Sequence, residues 1–147
     1  MSPEREQDYA DLLAYIGFFA TNVMQVDSSS PVHPANVAGE VVTKFGRSKA
    51  LVGLRHAAND TVEQMSGWNA EAIAILDRAL LAANVVTASE IRRRFASSFK
   101  RVVRRGSIKT ETEYYLVKGI CVDLGNRASN EERLSLERLL TAYEEGV

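Results

Sequence analysis

Apolar residues recur at helical intervals along most of this chain, and the spacing predicts about six helices. Between residues 36 and 65, Gly39, Thr43, Gly46, Ala50, Gly53 and Ala57 follow a 4,3,4,3,4 rhythm that sets six small side chains on one helical face. Leu51, Leu54, Ala58, Val62 and Met65 trace a second, bulkier stripe. Each interior glycine costs a helix roughly 0.5–1 kcal/mol relative to alanine, so the small face predicts a neighbouring helix approaching along it. An unbroken helix here would be about 45 Å long. The segment is therefore either the spine of the fold or two helices bent at Gly46–Arg47.

Before it, residues 4–26 read as a first helix with acidic opening turns. Tyr9, Leu12, Leu13, Ile16, Phe19 and Val23 form its stripe, while Ala14, Tyr15 and Phe18 add apolar surface beyond it. Such a helix is covered on more than one side, by its own domain or by a second subunit. Asp27–Pro34, with three serines and two prolines, interrupts helix and reads as a linker over 27–35. After the stop at Ser66-Gly67, Asn69 suits the N-cap of a helix carrying Ile73, Leu76, Leu80 and Ala83.

Three capping boxes follow: Thr87 with Glu90, Thr110 with Glu113, and Ser129 with Glu132. They place helices at 88–105, 111–124 and 130–145, separated by Gly106-Ser107 and Gly125-Asn126. The β-formers between Tyr114 and Val122 leave a strand open as an alternative there. The expected architecture is an all-α, single-domain bundle over residues 1–147 around a long glycine/alanine-striped helix. The first helix would be its candidate oligomerisation arm, and residues 36–147 its helical core.

Composition changes this picture little. At 147 residues with 46% hydrophobic and 25% charged side chains, the chain fits one globular domain. A single cysteine excludes an internal disulfide framework and fits a reducing compartment. The short apolar run Leu12–Ala20 follows acidic residues rather than basic ones, so no secretory signal is read. No stretch approaches the length of a membrane span. The expected location is cytoplasmic.

Charge changes it more. Net charge is −1, but residues 87–109 carry 8 basic side chains and 1 acidic one between two acidic flanks. On a continuous helical wheel, Ile91, Phe95, Ala96, Phe99, Val102 and Val103 fill an arc of about 140°. Arg93, Arg94, Lys100, Arg101, Arg104 and Arg105 fill the opposite arc, and Lys109 extends it past the turn. Such a face suits an acidic protein partner, or nucleic-acid phosphates, or carboxylates of the fold itself. No aromatics interleave for base stacking and no helix-turn-helix pair is evident. Arg92 falls within the apolar arc, where it either snorkels outward or meets a carboxylate.

Candidate catalytic chemistry is thin. His56, Asp60 and Glu63 share a helix face, but about 10 Å of axis separates the outer two, too far for one ion without help from another helix. His33 lies in the linker. Cys121 sits beside Val117 and Leu124 as a small hydrophobe, and Trp68 reads as a core plug at a helix junction. No nucleophile elbow or phosphate-binding glycine loop occurs. The residues point to a non-catalytic binding or regulatory protein, with no cofactor, metal or small-molecule ligand inferred. It would act through the basic helix and self-associate as a homodimer through Tyr15, Phe18, Phe19, Gly39, Gly46 and Gly53.

Overall fold

The computed structural model describes residues 1–124 and 129–146. Among them all regular structure is helical: α1 (Pro3–Asn22), α2 (Pro34–Phe45), α3 (Arg47–Gln64), α4 (Ala70–Ala82), α5 (Ala88–Phe95), α6 (Ser97–Arg105), α7 (Glu111–Leu124) and α8 (Asn130–Gly146), with a 3₁₀ turn at Met65–Gly67. The count exceeds six because two segments with uninterrupted apolar spacing are each broken once. The expected boundary at Gly125-Asn126 lies outside the described residues. The helices group into two compact units. One comprises Met1–Ser66 with Ala79–Val86, the other Gly67–Arg78 with Thr87 onward, so α4 contributes to both.

In the first unit, the expected spine is two helices. Gly46 adopts φ +91° and ψ 170°, which an L side chain enters only with strain, and its amide closes α2 on the Val42 carbonyl. The bulkier stripe forms the core: Leu51, Leu54, Ala58 and Met65 are buried, together with Leu12, Ile16 and Phe19 of α1. The glycine face does not do what its spacing predicts. A β-carbon built on Gly39, Gly46 or Gly53 would meet nothing within 4 Å. No helix of the unit lies against those positions.

Helix α1 is not a detached arm. It packs on α2 and α3, and Tyr15 and Phe19 are fully buried there, with Phe18 half-buried. The Tyr15 hydroxyl lies 2.9 Å from Thr61 Oγ1. Thr61 spends its own proton on the Ala58 carbonyl at 2.8 Å, so Tyr15 is the donor. Interface roles for Tyr15 and Phe19 are thereby replaced by core roles. Arg47–Glu6 and Arg55–Asp8 also tie α3 to α1; such exposed pairs contribute at most about 1 kcal/mol each.

The helix ends at Asn22, earlier than expected, and Gln25 turns the chain through φ +57°. The linker that follows is ordered. Asp27 accepts from the Ser29 amide and hydroxyl, and the Asn36 amide donates to the Ser28 and Ser30 carbonyls. His33 is buried as the N-cap of α2: Nδ1 accepts the Ala35 amide at 3.2 Å, and Nε2 lies 2.9 Å from Thr21 Oγ1. An accepting Nδ1 places the imidazole proton on Nε2, which donates to Thr21.

In the second unit, all three expected N-caps form. Thr87, Thr110 and Ser129 each accept the amide three residues on, from Glu90, Glu113 and Glu132, at 3.1 Å. The 114–122 stretch is helical. Leu116, Val117, Ile120 and Leu124 are buried on one side of α7, which receives α5, α6 and α8. The break between α5 and α6 falls at Ala96, whose ψ of 114° leaves the helical region. Alanine is the best helix former, so local preference does not ask for this break. Tertiary packing overrides it: Ala96 is itself buried, and the change of direction lets both short helices rest on α7.

Candidate functional site

The break at Ala96 divides the basic segment, and its cations separate into two kinds. Arg93 and Arg94 belong to α5 and turn to Glu90, a buried carboxylate one turn earlier. Arg94 Nε donates to it at 2.8 Å, and Arg93 Nε lies 3.2 Å away. Arg93 also approaches Glu132 of α8 at 3.7 Å. Arg105, at the end of α6, donates to Glu113 and to the Ser107 carbonyl. Burial pushes the Glu113 carboxyl up. The hydrogen bonds from Arg105 and from the Lys109 and Thr110 amides, with the Arg105 charge, outweigh that and hold it below the ordinary carboxylate value.

Lys100, Arg101 and Arg104 differ. All three are exposed on α6, and among the described residues none of their side chains meets a carboxylate. At 100° per residue they span about 100° of the helix, opposite the buried Phe99 and Val102. Half-exposed Val103 borders the Lys100 edge. Past Gly106, which turns the chain at φ +79°, Lys109 is exposed as well, while only its amide is bound to Glu113. Of seven expected surface cations, four have no ion pair among the described residues: Lys100, Arg101, Arg104 and Lys109. Arg92 is half-buried.

Beneath α5 lies a polar network without counterpart in the sequence reading. Asp77 of α4 accepts the Ser89 amide at 3.1 Å and its hydroxyl at 2.5 Å. Thr87, besides capping Glu90, donates to Asp123 at 2.8 Å. Burial pushes the Asp77 carboxyl up, against the Ser89 hydrogen bonds, and the neighbouring Asp123 adds to the rise. Its position was a legible signal, since Asp77 stands within the Ile73–Leu76–Leu80 stripe. The network anchors the start of α5, with both hydroxyls donating to carboxylates.

The remaining candidates stay apart. His56, Asp60 and Glu63 are exposed, and among the described residues no three His, Cys, Asp or Glu side chains gather as a metal site. Half-buried Cys121 has its thiol pushed up by burial and then by Glu137, which disfavours the reactive thiolate. Among the described residues, no helix is long and apolar enough to cross a membrane. Neither a protein-family model, nor a curated protein, nor a solved structure matches the chain.

Proposed function

We propose that the protein is a non-catalytic binding or regulatory protein that engages an acidic protein partner through the exposed face of α6. The observation that carries this reading is the contrast within one basic segment. Arg93, Arg94 and Arg105 are neutralised by carboxylates of the fold, whereas Lys100, Arg101 and Arg104 meet none among the described residues and share one helical face. Complementary charge of this kind mainly raises association rate and partner choice. Four free cations also make a small footprint for phosphates, without stacking aromatics among them.

The test sets an acidic helical peptide beside random-sequence duplex DNA and RNA at 50 and 200 mM salt. With Lys100, Arg101, Arg104 and Lys109 all on phosphates, the salt slope would be about −3.6, a loss of roughly 150-fold over that range. The expected result is binding of the peptide, abolished by Arg101→Glu with Arg104→Glu while the urea midpoint stays put. Tighter binding of nucleic acid with that slope would instead make phosphate the ligand. Equal binding by the double variant would remove the α6 face from the function.

A further inference from the structure

We infer that the outer face of the α2–α3 hairpin is a twofold interface, occupied by the same face of a second copy of this chain. A groove of about 260 Å³ lies between the two helices, lined by Val32, Val37, Val41, Gly53, Leu54 and Ala57. Val32, at 75% exposure, and Val37, at 43%, stand open to water at its edge. The space exists because Gly53 has no side chain and nothing of its own chain fills the gap.

The charges along α3 select the occupant. Its basic residues Arg47 and Arg55 are already paired with Glu6 and Asp8 of α1. Lys49, which lines the groove, and Asp60 are exposed and make no ion pair among the described residues. They are three helical turns and about 20° apart, so they share one face, with about 16 Å between them along the axis. The midpoint between them is also the midpoint between Gly53 and His56. An antiparallel second α3 turned about that point sets Lys49 against the partner's Asp60 at one end and repeats the pair at the other. At the centre the partner's His56 falls over Gly53, where a close approach is open. Opposite charges placed symmetrically about a centre where His56 can seat over Gly53 are self-complementary, as a closed twofold contact requires. A partner of uniform charge would meet repulsion at one end.

Sedimentation velocity on the full chain across micromolar concentrations tests this, the monomer being 16.2 kDa. The wild type should sediment as a dimer. Lys49→Glu and Asp60→Lys should each weaken dimerisation by about tenfold or more, since each places like charges together twice. Combined in one chain, the two reversals should restore it. Gly53→Leu, at a position where an added β-carbon meets nothing within 4 Å in its own chain, should leave the far-UV circular dichroism unchanged and abolish the dimer. A wild type that is monomeric at about 100 µM, a dimer indifferent to Gly53→Leu, or a double reversal that fails to rescue would each overturn the inference.

Discussion

Replacing Glu90 with glutamine removes one charge from the most consequential ion cluster described here. Glu90 is buried and serves two guanidinium groups. Arg94 Nε reaches it through a 2.8 Å hydrogen bond. Arg93 Nε is 3.2 Å from Oε1, yet neither atom has a hydrogen-bond partner, so that contact is electrostatic attraction without alignment. Breaking a fully buried pair from one side costs about 3–5 kcal/mol. Here the Arg93 and Arg94 side chains keep 27% and 30% of their surface in water, which resolvates much of the released charge. Arg93 retains Glu132, and the amide oxygen of glutamine can still accept from Arg94. About 1–2 kcal/mol of destabilisation is therefore expected, near the value of one charge-assisted hydrogen bond. Urea unfolding at pH 7 measures it as a lower midpoint at unchanged m-value. The same variant has a second readout. With the Glu90 charge gone the pull on Arg93 and Arg94 weakens, and the salt slope for any polyanion should steepen, by at most about 1.8 were both to reach phosphates. A stability change under about 0.5 kcal/mol together with an unaltered slope would refute the claim that Glu90 withholds these arginines from the surface.

Two further outcomes follow from the cores of the separate units. Asp77, whose carboxyl is raised by burial, binds its proton more tightly in the folded than in the unfolded chain. Its contribution is fully present below the ordinary carboxylate value and lost as pH rises through the raised one. Glu113 has the opposite sign, so the useful quantity is the difference between Asp77→Asn and wild type in urea titrations from pH 3 to 7: it should favour the variant increasingly as pH rises, and a flat difference would contradict the assignment. Tyr15→Phe leaves the Thr61 hydroxyl without its buried donor and should cost about 1 kcal/mol in thermal or urea unfolding, whereas a neutral result would mean that the hydroxyl pair contributes nothing net.

What the sequence made legible was local. Thr87, Thr110, Ser129 and Asn69 mark their helix starts because a cap is made between residues three apart. The Leu51–Leu54–Ala58–Met65 stripe is core because burial follows helical spacing. The Glu90 pairing with Arg93 and Arg94 was equally legible, being the one acid of the block, one turn before both arginines. Reading the segment as a single helical wheel obscured it. That wheel fails at Ala96, where only packing against α7 decides, and no propensity of alanine announces it. The imidazole cap of α2 was hidden for the same reason. His33 finds Thr21 across twelve residues, through a fold that must exist first. The small-residue rhythm predicted a close neighbour that the chain does not supply, since a spacing names a surface and leaves its occupant open.

The interruption at Ala96 also sets what kind of object the α6 surface is. Helices α5 and α6 have 8 and 9 residues, short of the roughly 12–15 at which an isolated helix becomes even marginal in water. Packed on α7, with Ile91, Phe99 and Val102 buried, they have no autonomous existence as helices. A synthetic fragment spanning Ser97–Arg105 would keep every charge and lose the arrangement. The recognition proposed for Lys100, Arg101 and Arg104 would thus be a property of the assembled unit, and partial unfolding of α7 would silence it as surely as removing the cations.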